Sequence, residues 1–154
     1  MLRKLTSIAF AVLMLVGPPL AATAMANGTP DQAKAMVEKA AKLLADEGKD
    51  KAFPVFDDPK GPFVDGDLYV FVLTLDGTTV AHGTNKLLIG KTLINVKDAD
   101  GKLFVQDIIA LGKDKGEGWI DYKWPNPVTH KVEAKSSFIK KVGDYIVGVG
   151  VYKG

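Results

Sequence analysis

The chain has 154 residues, 47% of them hydrophobic, with 20 basic and 18 acidic side chains and no cysteine. That length suits one domain of ordinary size with a proper core. The near balance of charge sets up no field that draws nucleic acid or an anionic membrane, and the lack of thiols excludes disulfides, thiol catalysis and thiolate metal sites.

Arg3 and Lys4 precede the apolar run Ile8 to Val16, and Ala24-Met25-Ala26 offers small residues for a signal peptidase. Residues 1–26 therefore read as a secretory leader cut after Ala26. The apolar run is much shorter than the roughly 20 residues a membrane-spanning helix needs, and Gly17-Pro18-Pro19 closes it. The expectation is a periplasmic or secreted domain, residues 27–154, with no membrane insertion after cleavage. Losing the leader removes two basic residues and no acidic one, leaving eighteen of each sign. Arg3, the only arginine, goes with it, so a bound anion must be met by lysine, hydroxyl or backbone donors.

Thr29-Pro30-Asp31 reads as a helix start and Gly48 as its stop. Between them Ala33, Met36, Val37, Ala40, Leu43 and Leu44 recur at helical spacing, which predicts a helix over about 30–48 with one apolar stripe. Phe53 to Asp67 holds three prolines and two glycines among Phe53, Phe56 and Phe63, and reads as an ordered loop pinned by aromatics. Leu68 to Leu75 is a continuous apolar run, which predicts a strand covered on both faces. Asp76-Gly77 is a hairpin signal, and Thr78 to His82 is the returning strand.

Lys86 to Lys97 reads as a short helix or apolar loop over the sheet. Asp98-Ala99-Asp100-Gly101 has the opening of a calcium loop, but the twelfth position is Ile109 where a bidentate glutamate belongs, so the segment reads as a turn before a helix ending near Gly116. The closing strands are Gly118 to Trp124, Lys131 to Lys141 and Asp144 to Tyr152. The sum is an α+β domain: a long N-terminal helix packed on a five-stranded antiparallel sheet, the sheet domain running over about 52–153.

The strand period of two puts Ile120, Tyr122 and Trp124 on one face and Trp119, Asp121 and Lys123 on the other. The aromatic face is either core or the wall of a pocket. Lys135 and Ser137 share one face of the next strand, and a lysine on a covered face needs an anionic partner, whether an internal acid or a bound carboxylate. Gly148 and Gly150 clear one face of the last strand for a helix or a ligand. Of the two histidines, His130 reads as solvated, while His82 fits either core or a ligand contact. No G-x-S-x-G, H-E-x-x-H or phosphate-cradling loop is present, so no enzymatic activity, cofactor or metal is expected.

Tyr69-Val70-Phe71, Ala81-His82-Gly83, Ile89-Gly90-Lys91, Asp98 to Gly101, Gly116 to Pro127, Lys135 to Ile139 and Val147 to Tyr152 together resemble a single Cache domain. The resemblance covers about residues 52–153 and implies a PAS-like antiparallel sheet behind a long N-terminal helix. It also implies an extracytoplasmic sensing module that binds small molecules, often short carboxylates. Tyr69, His82, Tyr122, Trp124 and Lys135 fall on motif positions and, with Ser137, make the expected ligand-binding set. Phe138 stands where many relatives have tyrosine. Family members are usually embedded in receptors or kinases, whereas this sequence continues only two residues past Tyr152. The expectation is a free module that binds a small carboxylate and acts with a separate membrane sensor or receptor partner. The alternative is an envelope interaction protein whose pocket is filled by its own side chains.

Overall fold

The computed structural model describes residues 27–153, and the expected leader, residues 1–26, lies outside them. The first helix, α1, spans Pro30–Glu47. Thr29 caps it, its hydroxyl accepting from the Gln32 amide while the Gln32 side chain accepts from the Thr29 amide. Gly48 ends it at φ 76°, a conformation that favours glycine. The chain then makes a second helix, α2, over Lys49–Phe56. This corrects part of the expected loop: Phe53 and Phe56 are helical, and the helix closes two residues after Pro54, whose missing N–H leaves one bond of the short helix unmade. Phe56 meets Phe63 edge-on at 4.9 Å.

The sheet has six strands, one more than expected. They are β1 (Val64–Asp65), β2 (Leu68–Thr74), β3 (Thr79–His82), β4 (Glu117–Pro125), β5 (Val132–Val142) and β6 (Tyr145–Tyr152). The order is β1-β2-β6-β5-β4, all antiparallel, with β3 also paired to β2. The added strand, β1, is a two-residue pairing with Leu68 and Tyr69, too short to leave a periodic signal. One 3-10 turn, Lys86–Leu88, and a loop bridged through Thr78 and Thr92 lie beside β3. Helix α3, Phe104–Lys115, follows, with Gly116 as its cap.

Strand β2 is buried along almost its whole length because it feeds two cores. Val70 and Val72 pack with Val147, Val149, Val151 and Phe138 under α1, against Ala33, Val37, Ala40 and Leu44. Phe71 and Leu73 pack on the opposite face with Ile139, Ile146 and Tyr122 under Phe104, Val105 and Ile108 of α3.

Candidate functional site

Register decides what the α3 face contains. Tyr122 pairs with Lys135 and Lys135 with Tyr152, while Ile120 pairs with Ser137 and Ser137 with Gly150. These two rows cross three strands, and Tyr69 on β2 faces the same way. Lys135 is 1% exposed and Ser137 fully buried. The space for that lysine comes from Gly150, where a Cβ would collide with Lys135 Cε and Ser137 Oγ. Gly148 does the same for the ring of Phe71. This corrects the expectation that the two glycines clear the strand for a helix or a ligand: each makes room for a neighbouring side chain instead.

Lys135 forms no ion pair with any carboxylate among the described residues. Its Nζ donates to Tyr69 Oη at 2.8 Å and sits 4.0 Å from the centre of the Tyr69 ring and 5.0 Å from that of Tyr152. Tyr152 donates its hydroxyl hydrogen to the Pro125 carbonyl at 2.7 Å, so in the 3.1 Å contact between the two hydroxyls Tyr69 is the donor. A polarised chain thus runs from Lys135 through Tyr69 and Tyr152 to the backbone. Burial pushes the Lys135 ammonium down to about 7, against a smaller opposing pull from Asp67.

His82 is buried and its ring lies 4.9 Å from that of Tyr69. Its Nδ1 accepts from the amides of Asn85 (3.0 Å) and Thr84 (3.4 Å), which places the hydrogen of the neutral ring on Nε2. Burial first, and then the charge of Lys135, hold it down to about 3, so the imidazole is neutral throughout the physiological range. Tyr122 stacks on Phe104 at 4.7 Å and its hydroxyl is bonded to Ser137 Oγ at 2.9 Å. Trp124 tilts against Phe104 at 5.2 Å.

Tyr69, His82, Tyr122, Trp124 and Lys135 line one partly open cavity of about 30 Å³, together with Phe104, Val105 and Ile108 of α3 and Leu88 and Leu93 of the covering loop. That is room for about two water-sized groups. Four of its residues, Tyr69, His82, Leu88 and Trp124, also line an outer cleft of about 520 Å³ that includes Thr84, Asn85, Asn126 and His130. Ser137 is the one expected residue that does not line the cavity; it lies behind Tyr122 and holds its hydroxyl.

Two polar residues beyond the expected set belong here. Tyr152 completes the hydroxyl chain; its signal was its position one strand over from Lys135, legible only with the register. Thr79 lines the cavity at 1% exposure, and its Oγ1 has no hydrogen-bond partner among the described residues. No local pattern distinguishes it from any other strand threonine. The Asp98 turn is structural: its carboxylate accepts from the amides of Asp100, Lys102 and Lys123, each at 2.9 Å, tying the turn to β4. His130 is exposed, with φ 59°. No described helix is long and apolar enough to cross a membrane.

A family model for the Cache domain, in its dCache_2 form, matches residues 25–154. The chain is 31% identical over 90 residues to the methyl-accepting chemotaxis protein McpP of Pseudomonas putida, a match covering 57% of this chain and 16% of that receptor. It is 33% identical over 88 residues to the sensor histidine kinase MctS of Rhizobium johnstonii, covering 56% and 19%. The chain thus matches less than a fifth of the length of either relative. A solved structure described as the basis for carboxylic acid recognition by a Cache chemosensory domain superposes with a TM-score of 0.65 at 25% identity, covering 80% of this chain and 88% of that one.

Proposed function

Because the chain belongs to the Cache domain family, we propose that it is a periplasmic sensory module that binds a short organic acid on the α3 face and passes the signal to a separate partner. One observation carries this reading. A lysine is fully buried at the wall of a cavity with no carboxylate of the described residues within ion-pair distance; the buried Asp67 acts on it only from farther away. An isolated buried charge is costly, and a fold retains one where something outside the chain completes it.

In this reading the ligand carboxylate pairs with Lys135, and the neutral His82 donates from Nε2. Phe104 and Trp124 take the apolar tail. Tyr122, already bonded to Ser137, supplies wall rather than a hydrogen bond. The cavity is smaller than such an acid, so the bound form extends toward the outer cleft or displaces the covering loop at Leu88 and Leu93. The solved Cache domain titled for carboxylic acid recognition supports the ligand class, and the receptor and kinase relatives support a sensory role.

A second reading, an envelope interaction protein with a filled pocket, draws on the small cavity and on the bond Lys135 already makes to Tyr69. Isothermal titration with acetate, propionate, pyruvate and lactate decides between them. The acid-binding reading expects heat with at least one acid and its loss in Lys135→Ala. Silence from every acid would leave the filled pocket.

A further inference from the structure

We propose that the acid is taken up together with a proton, so that the site binds the carboxylate and H⁺ as a neutral pair; this rests on the acid-binding reading above. The geometry behind it is a charge requirement that the empty protein does not meet. Lys135 Nζ is sealed among the Tyr69, Phe71 and Tyr152 rings, and its one hydrogen-bond partner is an uncharged phenol. The ring faces and the phenol favour the ammonium, but they return less than burial takes away, so the free amine gains on it. A carboxylate placed against Nζ reverses that balance, and the amine must gain its proton as the anion enters.

Of the neighbouring titratable groups, no carboxylate among the described residues lies within ion-pair distance of Nζ, and only Asp67 pulls on it from farther away. From β2, β4 and β6 come the phenols of Tyr69, Tyr122 and Tyr152, all held above the usual range by burial and so uncharged. From β3 comes His82, whose Nδ1 is engaged by two amides and which is already neutral. α3 contributes only Phe104, Val105 and Ile108. Asp67, in the turn before β2, acts on Lys135 from beyond ion-pair distance; its Oδ1 accepts from the Gly28 amide, and its Oδ2 is buried with no hydrogen-bond partner among the described residues. On the solvent side a pocket of about 190 Å³ brings Asp98, Asp100, Lys102, Asp121, Lys123 and Lys153 near Lys135, but Asp100 pairs with Lys123 and Asp121 with Lys153. The low position of the Lys135 ammonium, about 7, puts the effect at neutral pH.

Two measurements test this. In the empty protein with ¹³Cε-labelled lysine, the signal lost in Lys135→Met should titrate near pH 7; titration in the ordinary lysine range, about 10, overturns the proposal. Calorimetry with propionate at pH 8, in phosphate and in Tris, should give heats that differ as expected for uptake of close to one proton per acid. Its affinity should weaken by about tenfold per pH unit above pH 7. Heat with no buffer dependence between pH 6 and 9 overturns the proton coupling and leaves the acid-binding reading intact. No heat with any acid at any pH overturns both.

Discussion

The two faces of the sheet are built from alternating residues of the same strands, yet they hold different contents. Under α1 the contacts are Ala33, Val37, Ala40 and Leu44 against Val70, Val72, Val147 and Val149, with the buried Ser136 beside Val151 on the same face. Under α3 a comparable apolar frame encloses Lys135, His82, Thr79 and three tyrosine hydroxyls. On the proposed acid-binding reading, the α1 face is the main source of stability and the α3 face gives some of it up in exchange for recognition.

The sharpest way to break this comparison is a large deletion on the α1 face. Phe56→Ala removes a fully buried ring and should lower unfolding free energy by about 3–5 kcal/mol in denaturant titration. It should leave the affinity of the remaining folded protein for an acid nearly unchanged. A matching loss of affinity would mean that the faces are not separable.

Acid should attack the α3 face specifically. The folded His82 imidazole is held down to about 3, below its unfolded value of about 6.5. As pH falls below about 6.5 the unfolded chain takes the proton first, so stability declines toward pH 3 by a few kcal/mol. His82→Gln should flatten that stretch of the stability–pH curve.

Gly150→Ala tests whether the α3 face is organised around the lysine. The new methyl collides with Lys135 Cε and Ser137 Oγ, an overpacking expected to cost about 1–3 kcal/mol and to weaken acid binding by moving the ammonium. Gly143→Ala, at a turn with φ 57° and open space around it, should strain the backbone without touching binding.

The smallest effect runs in the opposite direction. Lys135→Met removes a buried ammonium that has no carboxylate of the described residues within ion-pair distance and should stabilise the protein by about 1–2 kcal/mol at pH 6, while abolishing acid binding. The folded Lys135 value, about 7, lies below the unfolded one. Wild type therefore gains stability as pH rises from 7 toward 10, and the advantage of the methionine variant shrinks over that window. Thermal melts at pH 6 and 9 read this directly.

Much of this division was legible in the sequence, and the exceptions have a common cause. The α1 stripe, the two-sided burial of β2, the Asp76-Gly77 hairpin and the split of Tyr122 and Trp124 from Trp119 all follow from local periodicity, which the structure keeps. Lys135 and Ser137 do share a covered face. The roles of Gly148 and Gly150, and the joining of Tyr152 to Tyr69, depend on which strand lies beside which, and β2 pairs with β6 across more than seventy residues. Helix α2 was obscured by Pro54, tolerated in its last turn, and by Gly48, which both ends α1 and begins α2. Thr79 is set apart from other strand threonines only by its unpartnered hydroxyl, a property of packing that no spacing encodes.

The central claim is that Lys135 is completed by a ligand carboxylate, and a crystal structure of the protein grown with a short monocarboxylic acid tests it most directly. The account predicts a carboxylate within hydrogen-bond distance of Lys135 Nζ, with its tail against Phe104 and Trp124. A cavity packed solid at saturating acid, with Lys135 still bonded only to Tyr69, would contradict it.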